Sequence, residues 1–282
     1  MMSDKVQLVD CPRDAIQGIH SFIPTGKKVA YLQRLIDSGL FDFLDFGSFV
    51  SAGAVPQMAD SEDVVRAIGG KSATKLIAII ANERGVHTGK KYSAIDYLGY
   101  PFSMSETFQR RNTNRSIDEA FDTVKRCQEI LDGGPALMIY VSMAFGNPYG
   151  DTWDPDIVLG WMEKLSNVGI GKFSIADTTA EASPEQIEQL FGQVRKGFPD
   201  AELSIHLHSR PANALSKVEA AYRAGCRIFE GAIMGYGGCP FAQDDLVGNI
   251  PSELLINRFG RSGHIAIDLL MDEFQQMLRH EL

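Results

Sequence analysis

The stretch Leu203-Ser204-Ile205-His206-Leu207-His208-Ser209 decides the fold, because it has the composition of a buried strand and carries two histidines at its end. Residues two apart in a strand point to one face, about 6.6 Å apart along the chain. Two imidazoles so placed can bind one metal ion through their neutral ring nitrogens. The same pattern also fits two hydrogen-bonded polar residues without a function. The remainder of the sequence has to show whether the two histidines form a metal site or a structural pair.

Other short apolar runs recur along the chain, with helix signals between them. Several are almost continuously apolar, as expected of parallel strands that are covered on both faces. Together with the histidine strand at 203–208, we predict strands at 6–10, 41–49, 75–81, 94–101, 136–145, 172–177 and 227–235.

The segments between these runs carry recognisable helix starts. Ser116-x-x-Glu119 is a capping-box pattern, and Asp154-Pro155 and Ser183-Pro184 each place a cap before a first-turn proline. A further helix is expected to begin at Asn213 and to turn four side chains inward, those of Leu215, Val218, Ala221 and Tyr222. Strands that alternate with helices indicate a parallel sheet.

Eight strands, each followed by a helix, in a chain of 282 residues form the (β/α)₈ pattern. We therefore predict an α/β protein with a single TIM-barrel domain over 1–282. The barrel should span about 5–250, with extra C-terminal helices over about 252–282. An open, doubly wound sheet is the competing architecture.

Composition excludes several classes of partner. The net charge is −9 and no lysine–arginine run stands out, so nucleic acid is not an expected partner. The chain has no apolar run near the ~20 residues needed to cross a bilayer, so no membrane is expected. The first strand begins too early for a secretory or transit peptide, and four cysteines do not form a disulfide framework. We predict a cytoplasmic protein, and the amphipathic last helix at 265–279 is compatible with a homodimer.

Polar side chains gather where the predicted strands end. In a barrel these ends meet at one face, so the side chains should form one site. They supply two imidazoles, several carboxylates, a guanidinium and a thiol, which suits metal-assisted chemistry on a carbonyl substrate. Each also has a structural explanation, as a cap or a turn residue. Cys11 and Cys239 lie in turns, where a thiol can meet a substrate. The group comprises Arg13, Asp14, Asp45, Asn82, Asp177, Thr178, His206, His208, Cys239 and Asn249.

Several segments resemble one known family over nearly the whole chain. Cys11-Pro12-Arg13-Asp14-Ala15-Ile16-Gln17 is similar to its G-P-R-D-G-L-Q segment, and Ser48-Phe49-Val50-Ser51 and His206-Leu207-His208 match its S-F-V-S and H-x-H segments. Gly235-Tyr236-Gly237-Gly238-Cys239-Pro240-Phe241-Ala242 is the most specific match. The sequence thus resembles the 3-hydroxy-3-methylglutaryl-CoA lyases, which belong to the barrel metallolyase superfamily that includes the Claisen-type synthases.

The resemblance implies a metal site and a reaction. Asp14, His206, His208 and Asn249 would hold Mg²⁺ or Mn²⁺, since mixed carboxylate, imidazole and amide ligands suit hard cations. The expected substrate is a small-molecule acyl-CoA, 3-hydroxy-3-methylglutaryl-CoA, which would be cleaved to acetoacetate and acetyl-CoA.

Catalytic roles follow from the chemistry of that cleavage. Arg13 is suited to stabilise the developing enolate oxygen, and Cys239 to protonate the new carbanion. The base that takes the hydroxyl proton is left open between Asp177 and His206. Asp45 stands where the family usually has glutamate, so a carboxylate is kept on a shorter arm.

Other departures from the family keep alternatives open. The segment 209–212 reads Ser-Arg-Pro-Ala instead of D-T-Y-G, and the loop at 244–247 is one residue longer than usual. A related metal-dependent aldolase or Claisen-type synthase acting on another hydroxy acid or acyl-CoA is one alternative, and a non-catalytic barrel binding protein is another. Arg110, Arg111 and Arg115 could contact CoA phosphates, or form a solvated charge run.

Overall fold

Eight parallel strands close into a barrel in the computed structural model, which describes residues 5–237 and 247–279. Neighbouring strands pair in chain order, and pairs between the first and eighth strands and between the sixth and seventh complete the ring. The predicted barrel is confirmed, because the competing open sheet would leave two unpaired edges. The strands are β1 (Gln7–Asp10), β2 (Phe43–Ser48), β3 (Lys75–Ile79), β4 (Ile95–Ser103), β5 (Ala136–Ser142), β6 (Lys172–Asp177), β7 (Glu202–Ser209) and β8 (Ile228–Gly231).

Helices surround the barrel and fill each crossover from β1 to β8. They bury the outward faces of the strands, and two further helices follow the barrel at its C-terminal side. The α-helices are α1 (Pro12–Ile16), α2 (Thr25–Ser38), α3 (Ser61–Ile68), α4 (Glu83–Gly89), α5 (Glu106–Thr113), α6 (Ile117–Ile130), α7 (Pro155–Asn167), α8 (Pro184–Gly197), α9 (Ala214–Arg223), α10 (Ser252–Phe259) and α11 (Ile267–Leu278). Within the described ranges, none of these helices has the length and apolar content needed to span a bilayer.

The predicted helix starts are confirmed at atomic detail. The Ser116 side chain accepts a hydrogen bond from the backbone N–H of Glu119, and the Glu119 carboxylate accepts one from the backbone N–H of Ser116. Ser183 and Gln186 form the same reciprocal pair at the start of α8. Such caps satisfy amide groups that have no partner within the helix.

A short ninth strand, β9 (Gly248–Asn249), pairs antiparallel with β7 and sets Asn249 beside His208. The sequence did not predict this strand, because two residues are too few to show a periodicity. The pairing fixes the position of Asn249 through the backbone.

The prediction that the Cys11 thiol lies in a turn open to substrate is wrong. Cys11 has no exposed surface and packs inside the barrel. Its neighbours form an inner apolar cluster, separate from the larger core between strands and helices; the cluster comprises Val9, Cys11, Phe43, Ile77, Met138, Tyr140 and Ile228.

The inward face of α9 agrees with the prediction at Val218 and Ala221, which are buried, and differs at Leu215. Leu215 is 49% exposed, whereas Lys217 is fully buried and points toward the barrel. Lys217 can be buried on this face because its ammonium group has an ion-pair partner, Asp177, beneath it. An apolar pattern alone could not reveal that pairing.

Candidate metal centre

A cavity of about 420 Å³ opens at the C-terminal end of the barrel, where TIM barrels carry their sites. Most of the polar residues expected at this end contribute to it. Arg13, Asp14, Asn82, Thr178, His206 and His208 all line it, together with Gln17, Ser48, Ser142, Tyr140 and Arg111. A second cavity, of about 470 Å³, is lined by residues at the opposite strand ends and contains none of these side chains.

Three of the predicted ligands converge on one point. The Nε2 atoms of His206 and His208 lie 3.3 Å apart, and the Oδ2 atom of Asp14 lies 3.9 Å from His208 Nε2. One ligand atom from each residue falls within 4.8 Å of the others, and all three residues are buried. The spacing of the histidines in β7 thus gives the geometry that a shared cation requires.

Asn249, the fourth predicted ligand, contributes an oxygen without a partner. Its amide nitrogen donates to Asp14 Oδ2 at 2.7 Å and to the carbonyl oxygen of Tyr236 at 2.8 Å. Its Oδ1 atom is buried and accepts no hydrogen bond from the described part of the chain. A buried acceptor left unpaired is costly, and a cation bound beside Asp14 would satisfy it. The residues therefore fit a hard divalent cation.

The hydrogen bonds of the two histidines orient their Nε2 atoms toward this point. His208 Nδ1 lies 2.9 Å from the carbonyl oxygen of Thr178, which can only accept, so Nδ1 carries the proton. His206 Nδ1 lies 3.1 Å from Glu230 Oε2. In the neutral rings both Nε2 atoms then have free lone pairs, as metal ligation requires.

Glu230 is a site residue that the sequence did not predict. Burial by itself would raise the pKa of Glu230, but hydrogen bonding to His206 and to two serine hydroxyls outweighs it and lowers the pKa. Ser174 Oγ and Ser204 Oγ donate to Glu230 Oε1 at 2.5 and 2.7 Å, and the Cys11 thiol lies 3.9 Å from Oε2. The sequence feature that could have indicated Glu230 is a carboxylate inside the apolar run 227–235.

Arg13 joins the metal ligands to a second buried carboxylate. Its guanidinium donates to Asp45 Oδ2 at 2.5 Å and to Asp14 Oδ1 at 3.0 Å. Burial raises the pKa of Asp45, which the Arg13 charge only partly offsets. For Asp14, burial is outweighed by Arg13 and the two histidines, so the pKa of Asp14 lies well below its ordinary value. Asp45 does not line the cavity, and it contacts the site through Arg13.

Asp177 was predicted as a candidate base, but this prediction is wrong, because the structure places its side chain outside the cavity. Ala176 and Thr178 line the cavity, so the alternation of β6 turns Asp177 to the outer face. There its carboxylate accepts a hydrogen bond from Lys217 Nζ at 2.6 Å and from the backbone N–H of Ala182 at 3.3 Å.

The three arginines of the predicted CoA cluster separate. Arg111 lines the cavity, with its guanidinium 4.6 Å from the ring centre of Tyr149. Arg110 pairs with Glu106, whereas Arg115 donates to a backbone carbonyl and to a threonine hydroxyl. Cys239 lies outside the described residues, as does most of the longer loop at 244–247.

The fold and the site together define a TIM-barrel enzyme whose polar cluster lies at the catalytic face of the barrel. The chain belongs to the HMGL-like family, which it matches over residues 5–277.

Individual relatives agree with this assignment. The cytoplasmic 3-hydroxy-3-methylglutaryl-CoA lyase of Homo sapiens is 30% identical over 249 residues, which cover 87% of this chain and 66% of that protein. The chain thus spans about two thirds of that relative's length. The (R)-citramalyl-CoA lyase of Chloroflexus aurantiacus is 29% identical over 272 residues, covering 92% of this chain and 85% of that protein.

A solved structure shows that the similarity to this family extends to the fold. An HMG-CoA lyase from Acinetobacter baumannii, in complex with coenzyme A and 3-methylmalate, superimposes with a TM-score of 0.90 at 28% identity. The match covers 100% of this chain and 92% of that one.

Proposed function

We propose that the chain is a divalent-metal-dependent carbon–carbon lyase that cleaves 3-hydroxy-3-methylglutaryl-CoA to acetoacetate and acetyl-CoA. The observation that carries this proposal is the convergence of Asp14, His206 and His208 on one point, beside the unpaired amide oxygen of Asn249. Membership of the HMGL-like family supports the reaction class.

The four ligands would hold Mg²⁺ or Mn²⁺, which would lower the pKa of a bound hydroxyl group and polarise a bound carbonyl. His206 has its Nδ1 atom on Glu230 and its Nε2 atom in the ligand cluster. We therefore assign His206 to metal binding. Proton abstraction by His206 would need a nitrogen that this arrangement already uses, and Asp177 lies outside the cavity. The C3 hydroxyl proton would therefore pass to water in the open cavity.

Arg13 is placed to stabilise negative charge on the thioester oxygen as the carbon–carbon bond breaks. Its guanidinium lines the cavity and is held rigidly by two carboxylates and by Gln17 Oε1 at 3.0 Å. A fixed donor of this kind gains strength as charge develops, and needs no reorganisation in the reaction. Asp45 then acts as a positioning residue for Arg13.

We assign protonation of the acetyl-CoA carbanion to Cys239, on the sequence of its glycine-rich loop alone. A thiol with a pKa near 8.5 is mostly protonated at neutral pH and can donate. The coenzyme A moiety would contact Arg111 at the rim of the cavity.

The exact acyl group is tested by comparing two thioesters. 3-Hydroxy-3-methylglutaryl-CoA and citramalyl-CoA differ by one methylene, and the altered segment 209–212 and the citramalyl-CoA lyase relative make the second a specific alternative. One methylene is worth about 10- to 200-fold in kcat/KM.

We expect kcat/KM, measured as acetyl-CoA release with Mn²⁺ present, to be at least about tenfold higher for 3-hydroxy-3-methylglutaryl-CoA. A preference for citramalyl-CoA would reassign the substrate within the same reaction class. If neither thioester were cleaved by metal-loaded protein, the non-catalytic barrel binding protein would be the better description.

A further inference from the structure

Lys217 is a buried lysine whose hydrogen bonds all lie around one metal ligand. Its side chain has no exposed surface, and Nζ donates to Asp177 Oδ2 at 2.6 Å, to the carbonyl oxygen of Ala180 at 2.9 Å and to that of His208 at 3.0 Å. An ammonium group has three donors, so each one is used.

These contacts hold His208 from two sides. On one side, the His208 carbonyl oxygen accepts directly from Lys217. On the other, His208 Nδ1 donates to the carbonyl oxygen of Thr178, which lies between Asp177 and Ala180, the other two partners of Lys217. One ammonium group thus fixes both the backbone of the histidine and the turn that orients its ring.

We propose that Lys217 and Asp177 form a positioning pair that holds His208 in its ligating orientation and thereby sets the affinity of the site for a divalent cation. The inference rests on the metal site of the proposed function. It also gives Asp177 a role: its carboxylate neutralises and orients the ammonium group.

The alternative is that the Lys217–Asp177 pair only stabilises the fold. Desolvation of two buried charges offsets much of the attraction between them. Neutral side chains of similar volume are therefore often tolerated in their place. Removing only one partner strands a buried charge and destabilises strongly. The informative variant therefore removes both charges together.

The test compares K217M/D177N with the matched control K28M/D60N. Lys28 is also a buried lysine, 4% exposed, and it donates to Asp60 Oδ1 at 2.8 Å and to the carbonyl oxygen of Gln57, away from the metal ligands. The measurements are the dissociation constant for Mn²⁺ and the melting temperature in EDTA.

We expect K217M/D177N to bind Mn²⁺ at least about tenfold more weakly than the unchanged protein, as for other groups that orient metal ligands. The control should stay within about twofold, because it is remote from the site. Excess Mn²⁺ should restore most of the kcat of K217M/D177N, since the ligands themselves remain.

Unchanged Mn²⁺ affinity in a folded K217M/D177N protein would overturn the proposal. If that variant does not fold, K217L/D177N, which likewise removes both charges, serves in its place: weaker Mn²⁺ binding by the folded protein supports the pair, and unchanged binding refutes it. If the unchanged protein itself bound no Mn²⁺, the proposed metal site would fail first, which separates the two claims.

Discussion

At the scale of single residues, the partners of each proposed ligand orient it toward one point. Asp14 is held ionised by Arg13, and the backbone carbonyl of Thr178 and the Glu230 carboxylate each accept a hydrogen bond from an Nδ1–H group. The two Nε2 lone pairs and the carboxylate are then free for a cation. This arrangement explains why charged groups are buried together at the mouth of an apolar barrel.

Arg13→Met should lower kcat by about 10²- to 10³-fold at saturating Mn²⁺, with a smaller change in KM, because its contact strengthens in the transition state. Gln17→Ala is the control, since Gln17 Nε2 donates to Asp14 Oδ1 at 2.6 Å and lies on the same side of the ligand. That variant should need more metal and lose far less kcat than Arg13→Met, because Asp14 and Asp45 still hold the guanidinium. A normal kcat with a raised KM for Arg13→Met would make Arg13 a simple binding residue.

Asp10 should make stability depend on pH. It faces α10, where it accepts a hydrogen bond from Ser252, and burial, reinforced by the nearby charge of Glu253, raises its pKa from 3.8 to about 7. Between these values the folded state holds a proton that the unfolded state has lost. Stability should therefore fall as pH rises through this window, by up to about 1.4 kcal/mol per pH unit, and level off above it.

Asp10→Asn removes this ionisation. The difference in unfolding free energy between Asp10→Asn and the unchanged protein should grow in favour of the variant from pH 4 to pH 7, as followed by urea denaturation. The exposed Asp63, paired with Arg66 on α3, provides the control substitution Asp63→Asn. Parallel pH profiles for Asp10→Asn and the unchanged protein would contradict the assignment.

The sequence indicated the proposed metal ligands, but not the groups that orient them. The two histidines followed from their spacing, and Asp14 and Asn249 from the family resemblance. Glu230 and Lys217 were missed because their roles depend on partners in other strands, such as Ser174 and Asp177, which a single segment does not show.

At the scale of secondary-structure elements, local signals predicted most strands and helix starts. Capping serines act within their own helix, so a short pattern was sufficient for α6 and α8. The burial of Lys217 on α9 depends instead on an ion pair with β6, and β9 depends on pairing with β7. Both are tertiary effects, which explains why the sequence did not predict them.

Helix α5 provides a test of coenzyme A binding. Arg111→Gln should raise KM for the thioester by up to about fivefold at low ionic strength, the magnitude of an exposed ion pair. The effect should shrink at high salt. Arg110→Gln is the control on the same helix, since Arg110 already pairs with Glu106 at 2.8 Å. Equal effects of the two substitutions would indicate a general charge effect and remove Arg111 as a specific contact.

At the scale of the whole molecule, closure of the barrel builds the site. Asp14 and Asn249 are 235 residues apart in the chain, and their side chains are hydrogen-bonded at 2.7 Å. They meet because β1 and β7 both pair with β8, and β9 adds to β7. The order of strands was predictable from the alternation of strands and helices, but the distances between side chains were not.

The most direct test of the account is the metal dependence of cleavage. Protein treated with EDTA and verified to be free of metal should release no acetyl-CoA from 3-hydroxy-3-methylglutaryl-CoA, and added Mg²⁺ or Mn²⁺ should restore the activity. His208→Ala, measured in parallel, should need at least about tenfold more metal, because a direct ligand is lost. Full activity in the verified metal-free protein would contradict the account.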